Sequence, residues 1–406
     1  MKIRNITLLL ALFPLLLSAE ELRLLDWNIL NYPGAGSDRE THLSTVIGEL
    51  EPDLLVVQEL QNINGYQQFL SAVLEQVHPG QWGEAPFHNS YNSDRGLYIR
   101  EECATVIDSG WLDTDLRDIE WWDLEATSSG DIFRLYTLHL KASQGSTNEN
   151  RRHDECLVLR NQLDTLPEDM PFIVAGDFNI YHSSEPAYQL LLSSGPGQLL
   201  DPIDSPGNWH DNPSFASIHT QCPRKEQFGG GSYGGMDDRF DLILVSEHLL
   251  DGEGLELLPE TYTAYGNDGE HFNESILYGG FNNAVPFEIA EAIHEASDHI
   301  PILADIALGE SVDAPESEAH SIRLSAWPNP FNPTCVLEVR LEEAAKVTLE
   351  IFNLKGQRLE VLVHRILEAG RQQFPWKAEG QPSGLYLARL RTNRGQEKVT
   401  KLLLVR

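Results

Sequence analysis

Residues 171–179 read PFIVAGDFN, and residues 172–175 of that stretch are apolar without a polar break. A short apolar run bounded by Pro171 and Gly176 predicts a buried strand inside an α/β sheet. The residues just past this run decide the fold, because Asp177 and Asn179 stand where it stops. A buried strand rarely ends in a carboxylate and an amide unless those groups have partners or a task.

The same event recurs along the chain. Asn28 lies in LLDWNIL, Gln58 and Glu59 follow Leu54 to Val57, and His139 interrupts LYTLHL. Asp241 opens the strand of DDRFDLILV, and Asp298 and His299 sit in ASDHIPIL. A single polar strand end is ordinarily a satisfied hydrogen-bonding residue. Together these six places assemble the parts of a metal-assisted phosphoester cleavage: hard oxygen ligands for a cation, a carboxylate able to activate water, two imidazoles for proton transfer and amides for phosphoryl oxygens. Strand ends are also the natural rim of a two-sheet sandwich.

Between these strands, Arg39–Leu50 carries Leu43, Val46, Ile47 and Leu50 at helical spacing, and Tyr66–Val77 and Glu149–Leu166 also read as helices. Further strands are expected at Leu22–Ile29, Gly96–Arg100, Thr105–Ile107, Asp131–Leu140, Phe240–Val245 and Ile302–Ile306. Mixed strands and helices over residues 20–308 indicate one large α/β or α+β domain. Its loops at Trp111–Gly130 and Asn208–Gly235 are where substrate specificity would be set. The loop Gly229–Gly235, GGGSYGG, lacks the Lys and Ser/Thr of a P-loop and does not follow a strand.

The chain has 406 residues with 62 Asp and Glu against 29 Lys and Arg, a formal charge of -33. The charge is uneven: residues 322–406 hold 14 basic and 8 acidic side chains, whereas residues 20–321 hold 13 and 54. Affinity for a polyanion cannot come from a general basic surface, so a phosphate must be met locally, through a metal. Ile6–Leu17 is apolar and preceded by Lys2 and Arg4, which reads as a secretory signal peptide over residues 1–19 that leaves no stable membrane span once removed. Cys103, Cys156, Cys222 and Cys335 form no CxxC pair, so a zinc ribbon is not supported; an exported chain either pairs Cys156 with Cys222 or keeps buried free thiols. Residues 309–321, GESVDAPESEAHS, read as an acidic linker. Beyond it, short β-rich runs at Cys335–Leu341, Val347–Asn353, Leu359–Val363, Gly384–Thr392 and Lys398–Val405 suggest a small all-β sandwich over residues 322–406.

The ordered series WN, PDLLVVQE, LHL, GDFN, RFDLILVS and SDHIPI resembles the endonuclease/exonuclease/phosphatase superfamily, over about Glu20–Leu308. The resemblance implies a four-layered α/β/β/α sandwich with the site at the top of two packed sheets. It implies Mg²⁺, with Mn²⁺ or Ca²⁺ as substitutes, held by Glu59 with Asn28 beside it and Asp298 completing the shell. Asp177 resembles the carboxylate that orients or deprotonates the attacking water, and Asn179 the amide that stabilises charge on phosphorus. His299 resembles the histidine at the scissile phosphate, with Asp241 fixing its tautomer, and His139 is placed as general acid for the leaving oxygen. Asp94 would correspond to the carboxylate that partners His139, or else is a solvated turn residue. Arg152 would contact a substrate phosphate, or else form a salt bridge with Asp154 or Glu155. Asp26, two residues before Asn28 on the same strand face, would lie just behind the site.

The tail series WPNPFNPT, VTLEIFNLKGQRL, AGRQQFPWKA and PSGLYLARL resembles the C-terminal sorting domain of type IX secretion substrates. It implies passage through the periplasm to the cell surface or medium and recognition by the type IX machinery; the alternative is a plain adhesive sandwich. Taken together, the expectation is a secreted, monomeric, metal-dependent phosphodiesterase, foremost a nuclease acting on DNA or RNA. The competing expectations are a sphingomyelinase-like enzyme of phospholipid or small phosphoesters, for which Trp121 and Trp122 would form a lipid-inserting edge or else simply pack as core and rim, and a catalytically silent binding module.

Overall fold

The computed structural model describes residues 21–34, 39–91, 93–309 and 322–405, apart from 328–330, 342–343, 354–356, 379 and 394–396. The signal peptide expected over residues 1–19 and nearly all of the expected linker lie outside the described residues. The chain separates into two compact units, Met1–Val312 and Asp313–Arg406.

The strands of the first unit are β1 (Glu21–Tyr32), β2 (Leu54–Leu60), β3 (Trp82–Glu84), β4 (Asp94–Arg100), β5 (Ala104–Leu112), β6 (Ile119–Ala126), β7 (Ile132–His139), β8 (Phe172–Asp177), β9 (Asp241–Val245), β10 (Glu256–Ala264) and β11 (Ile302–Ala307). Its main helices are α1 (Arg39–Leu50), α2 (Ile63–Phe69), α3 (Glu75–Val77), α4 (Ser146–Leu163), α5 (Pro186–Leu192) and α6 (Phe287–Ala296). One sheet has the order β10-β11-β1-β2-β4-β3 and the other β5-β6-β7-β8-β9.

Three apolar layers hold these elements together. Leu25, Trp27 and Ile29 of β1 and Leu55 and Val57 of β2 meet Leu43, Val46 and Ile47 of α1 and Ala290 and Ile293 of α6. Tyr136, Leu138, Val174 and Leu242 of the second sheet meet Cys156, Leu159 and Leu163 of α4 and Ala187 and Leu191 of α5. Between the sheets lie Leu22, Leu24, Leu54, Val56, Phe133, Leu135, Ile173, Ala175, Ile243 and Val245. The result is the four-layered α/β/β/α sandwich.

Strand alternation carries these inner rows to one end, and there they turn polar. Leu22 and Leu24 continue as Asp26 and Asn28, Leu54 and Val56 as Gln58, Phe133 and Leu135 as Thr137 and His139, and Ile173 and Ala175 as Asp177. All of these polar residues are buried. An apolar interior with a polar cap at one end is what positions the site.

Several elements differ from the sequence reading. Half of the expected specificity loop Trp111–Gly130 is strand, the end of β5 and all of β6; Trp122, Leu124 and Ala126 form the apolar side of β6, but Glu120 shares that side and adjacent Trp121 breaks the alternation. Trp122 is buried and donates its indole N–H to the Pro86 carbonyl. The Arg134 guanidinium lies 3.8 Å from the Trp121 ring centroid. The lipid-inserting edge is therefore absent. All four cysteines are free thiols, with Cys156 in the layer under α4, so the Cys156–Cys222 pairing is not formed. Among the described residues no helix is long and apolar enough to cross a membrane.

The second unit contains β12 (Ile322–Trp327), β13 (Thr334–Leu341), β14 (Ala345–Asn353), β15 (Arg358–Leu367), β16 (Gly370–Lys377), β17 (Gly384–Thr392) and β18 (Glu397–Leu404). They form a three-stranded sheet β12-β13-β16 and a four-stranded sheet β15-β14-β17-β18 around Leu337, Val339, Val347, Leu349, Ile351, Trp376 and Leu390.

Candidate active site

The parallel pairing of β7 with β8 sets His139 opposite Asp177, and the antiparallel pairing of β8 with β9 sets Asp177 opposite Asp241. Gly176 permits this closeness, since a Cβ there would lie 2.2 Å from the Leu138 carbonyl oxygen. On the facing sheet, β1 and β2 place Asn28 beside Gln58. Glu59 has φ of 65°, which breaks the pleat where the β1–β2 register shifts and takes its carboxylate out of the strand alternation.

Asp177 is the hub. Its Oδ2 lies 3.1 Å from Asn28 Nδ2, 3.4 Å from His139 Nε2 and 3.7 Å from His299 Nε2. Asn28 Nδ2 also donates to Glu59 Oε1 at 3.2 Å, while Glu59 Oε2 accepts from the Asn31 N–H at 3.0 Å. His299 Nδ1 lies 2.8 Å from Asp241 Oδ2, and its Nε2 lies 2.5 Å from the side-chain amide of Gln221. Asn179, at φ of 52°, donates its backbone N–H to Asp177 Oδ1 and its side chain to the Leu140 carbonyl. One N–H of that amide remains for a ligand.

The environment separates the two histidines. Burial opposes charge on His299, but Asp241 and Asp177 outweigh it and hold its pKa well above the usual imidazole value. Burial, with Arg117 and Arg95 nearby, pushes His139 well below that value and keeps it neutral. Asp177 is raised by burial and by Asp241 and Glu59, and Glu59 by burial and by Asp298. Behind them Asp26, fully buried, is raised well above the usual range by burial and by Asp241, and takes one hydrogen bond from Gln58 at 2.6 Å. Two titratable groups of one type pushed apart by their surroundings are the mark of divided acid and base duties.

The donor set suits a hard divalent cation. Asp298 is buried, and while its Oδ2 accepts from the Ser232 N–H at 2.6 Å, its Oδ1 has no hydrogen-bond partner. Glu59 is held toward protonation partly by that same carboxylate. Closely set carboxylates with an unsatisfied buried oxygen are relieved by a cation. Asp177, Asp241 and His299 also bring ligand atoms within 4.8 Å of one another, although the His299 Nδ1 is engaged by Asp241. A second group, His210, Asp237 and Asp238, has both imidazole nitrogens occupied, by Asp238 at 2.8 Å and by Gln144 at 2.6 Å.

Two sequence expectations are corrected. Arg152 does not face the site: it is fully buried, pairs with Glu185 at 2.8 Å and donates to the carbonyls of Lys141 and Ser143. Its partner is Glu185, just before α5, rather than Asp154 or Glu155, because the α4 face that carries Arg152 packs against α5. Asp94 does not partner His139, whose Nδ1 has no hydrogen bond; Asp94 instead accepts from the Ser90 N–H at 2.8 Å.

Two residues escaped the sequence reading. Arg117 donates to the carbonyls of His139 and Leu140, each at 2.9 Å, and lies close enough to Asp177 and Glu59 to feel both charges. Gln221 meets His299 from a loop. The only signal for Arg117 was a lone cation in the acidic run DTDLRDIE.

The Endonuclease/Exonuclease/phosphatase family profile matches residues 27–299, and a profile for a secretion system C-terminal sorting domain matches residues 325–406. Among curated proteins none matches. Solved structures similar to this chain include the human Nocturnin catalytic domain, at 18% identity and TM-score 0.47 over 71% of this chain and 94% of that one. An endonuclease/exonuclease/phosphatase from Bacteroides vulgatus aligns at 15% identity and TM-score 0.46 over 71% of this chain and 99% of that one. A mannosyl-6-phosphatase from Bacteroides thetaiotaomicron aligns at 15% identity and TM-score 0.44 over 70% and 99%.

Proposed function

The chain belongs to the endonuclease/exonuclease/phosphatase family and ends in a type IX sorting domain, which makes it a secreted or cell-surface hydrolase, and from that premise we propose that it is a divalent-metal-dependent phosphodiesterase acting as an extracellular nuclease. The observation that carries this reading is the convergence of Asn28, His139 and His299 on one carboxylate oxygen of Asp177.

Glu59, Asn28 and Asp298 would hold Mg²⁺, which when bound offsets the charge of the phosphodiester and polarises it. Asp177 orients a water and accepts its proton as the water oxygen attacks phosphorus in line. Its raised pKa suits a base of this kind. His299, kept cationic by Asp241 and Asp177, donates to a non-bridging phosphoryl oxygen, and the free N–H of Asn179 supports the same developing charge. The bond from phosphorus to the leaving oxygen breaks, and that oxygen takes its proton from His139, which binds that proton from solvent as the substrate arrives. The phosphodiester's own charge, arriving beside neutral His139, raises the affinity of that imidazole for the proton it must deliver. Arg117 fixes the end of β7 through two carbonyls and adds positive charge where the domain is otherwise acidic.

The lipid reading loses its support with Trp121 and Trp122 packed into the fold. The test is incubation of the exported chain with supercoiled plasmid and with single-stranded RNA, in Mg²⁺ and in EDTA, beside His299→Ala. Metal-dependent cutting that disappears in the variant is expected. Turnover of a small phosphodiester without cutting either nucleic acid would move the substrate class away from nucleic acid, and no turnover at all would leave the silent module.

A further inference from the structure

One ordered, exposed aromatic group at the mouth of the sandwich has no part in the chemistry above. Trp111 of β5 sits directly opposite Glu120 of β6, which sits opposite Thr137 of β7. Directly opposed residues share a sheet face, so Trp111 lies on the inner face that carries His139, two strands or roughly 10 Å from β7.

Trp111 is 51% exposed and yet held in place. The His88 ring stacks on it with centroids 4.1 Å apart and planes 11° from parallel. His88 Nε2 is bound to Asp118 Oδ2 at 2.8 Å, and the indole N–H donates to Asp113 Oδ1 at 3.2 Å. The imidazole covers one face of the indole, while half of the residue remains exposed. An indole already fixed has lost the rotamer freedom that binding a ligand would otherwise cost.

We propose that the open face of Trp111 is a stacking platform for a nucleobase flanking the scissile phosphodiester. This rests on the nuclease reading above and deepens it. Stacking suits the charge of this unit, because residues 20–321 hold 13 basic against 54 acidic side chains. Such a surface cannot hold a polyanion by its general field. Stacking on an aromatic ring supplies affinity by a route that does not depend on releasing counterions, and it accepts any base. The two carboxylates beside the platform are engaged by the indole N–H and by His88, which moderates their repulsion of the backbone.

The experiment uses the full chain carrying His299→Ala, to suppress cleavage, with Mg²⁺ and a labelled short single-stranded oligonucleotide, read by fluorescence anisotropy beside an abasic strand of equal length. Adding Trp111→Ala should weaken binding of the base-bearing strand about tenfold, leave the abasic strand's affinity as it was, and leave the melting temperature unmoved, while Trp111→Phe recovers most of the affinity. Equal dissociation constants for the base-bearing strand with and without Trp111→Ala overturn the platform. Equal weakening of both strands overturns it too, as does a parent protein that binds the base-bearing strand no better than the abasic one. Cleavage separates the two readings: a chain that cuts nucleic acid but ignores Trp111→Ala keeps the nuclease and loses the platform, and one that binds through Trp111 without cutting does the reverse.

Discussion

Asn28 on one sheet donates to Asp177 on the other across 3.1 Å, with the same Nδ2 shared with Glu59. A single amide thereby spaces the carboxylate proposed to hold the cation from the one proposed to handle water. Its Oδ1 is engaged by the Leu30 N–H at 3.1 Å, which fixes which way the amide faces.

Asn28→Ala should therefore act on two functions at once. Loss of a group that orients a metal ligand typically lowers metal affinity by about 10–100-fold. Isothermal titration with Mg²⁺ or Mn²⁺ reads this directly, and saturating metal should restore only part of the turnover, because Asp177 has also lost a partner. Full recovery at saturating metal would confine Asn28 to the cation.

His299 and Asp241 should behave as one unit. Removing one donor to the charge that develops in the transition state costs about 10²–10³-fold in kcat, so His299→Ala should lower kcat within that range. Asp241→Asn leaves the shape intact but removes the charge that outweighs burial at His299. The double variant should be little worse than His299→Ala alone. Multiplicative losses in the steady-state rates would show that the pair is not coupled.

The strand-end groups were legible because each breaks an apolar alternation: Asn28, His139 and Asp177 each end a row whose earlier members, such as Leu24, Leu135 and Ala175, are core. Period and composition carry that information. Arg117 and Gln221 were not legible, since they enter from loops where no period exists and contact is decided by how the chain folds back. Arg152 was misread for a related reason: a charged residue in the first half of α4 carries no sign of whether the facing element supplies a substrate or Glu185. β16 escaped because GRQQFPWK offers only Phe374 and Trp376 to the core side.

Asp26 should make stability depend on pH in a particular direction. Its pKa in the folded chain lies well above the usual carboxylate value, so the folded state holds a proton that the unfolded state has released. Stability then falls as pH rises from the unfolded value near 3.9 toward the folded one, by about 1.4 kcal/mol for each unit between them. Asp26→Asn keeps the hydrogen bond site in a neutral form and removes this slope. Melting curves in EDTA at pH 5 and pH 8 should lie closer together in the variant than in the parent, with the gain at pH 8; an unchanged gap would mean that Asp26 titrates alike in both states.

The two sheets are also braced beside the site, by Arg95 of β4 and Glu120 of β6. The pair is bidentate, with Nε to Oε2 and Nη2 to Oε1 both at 2.7 Å, and both side chains are buried. Arg95 has further acceptors in the Ser93 and Asp118 carbonyls, so the ion pair is satisfied throughout. Removing one partner of such a pair strands a charge, at a cost of about 3–5 kcal/mol, whereas replacing both by apolar groups of similar volume is often neutral. Glu120→Ala should accordingly be among the most destabilising single changes, and Arg95→Met with Glu120→Leu should recover most of the loss. Urea unfolding monitored by tryptophan fluorescence reads mainly the first unit, since six of the eight tryptophans precede residue 309. The contrast between single and double variants is the decisive quantity: equal destabilisation would locate the cost in lost packing between the sheets, and recovery in the double variant would locate it in the stranded guanidinium.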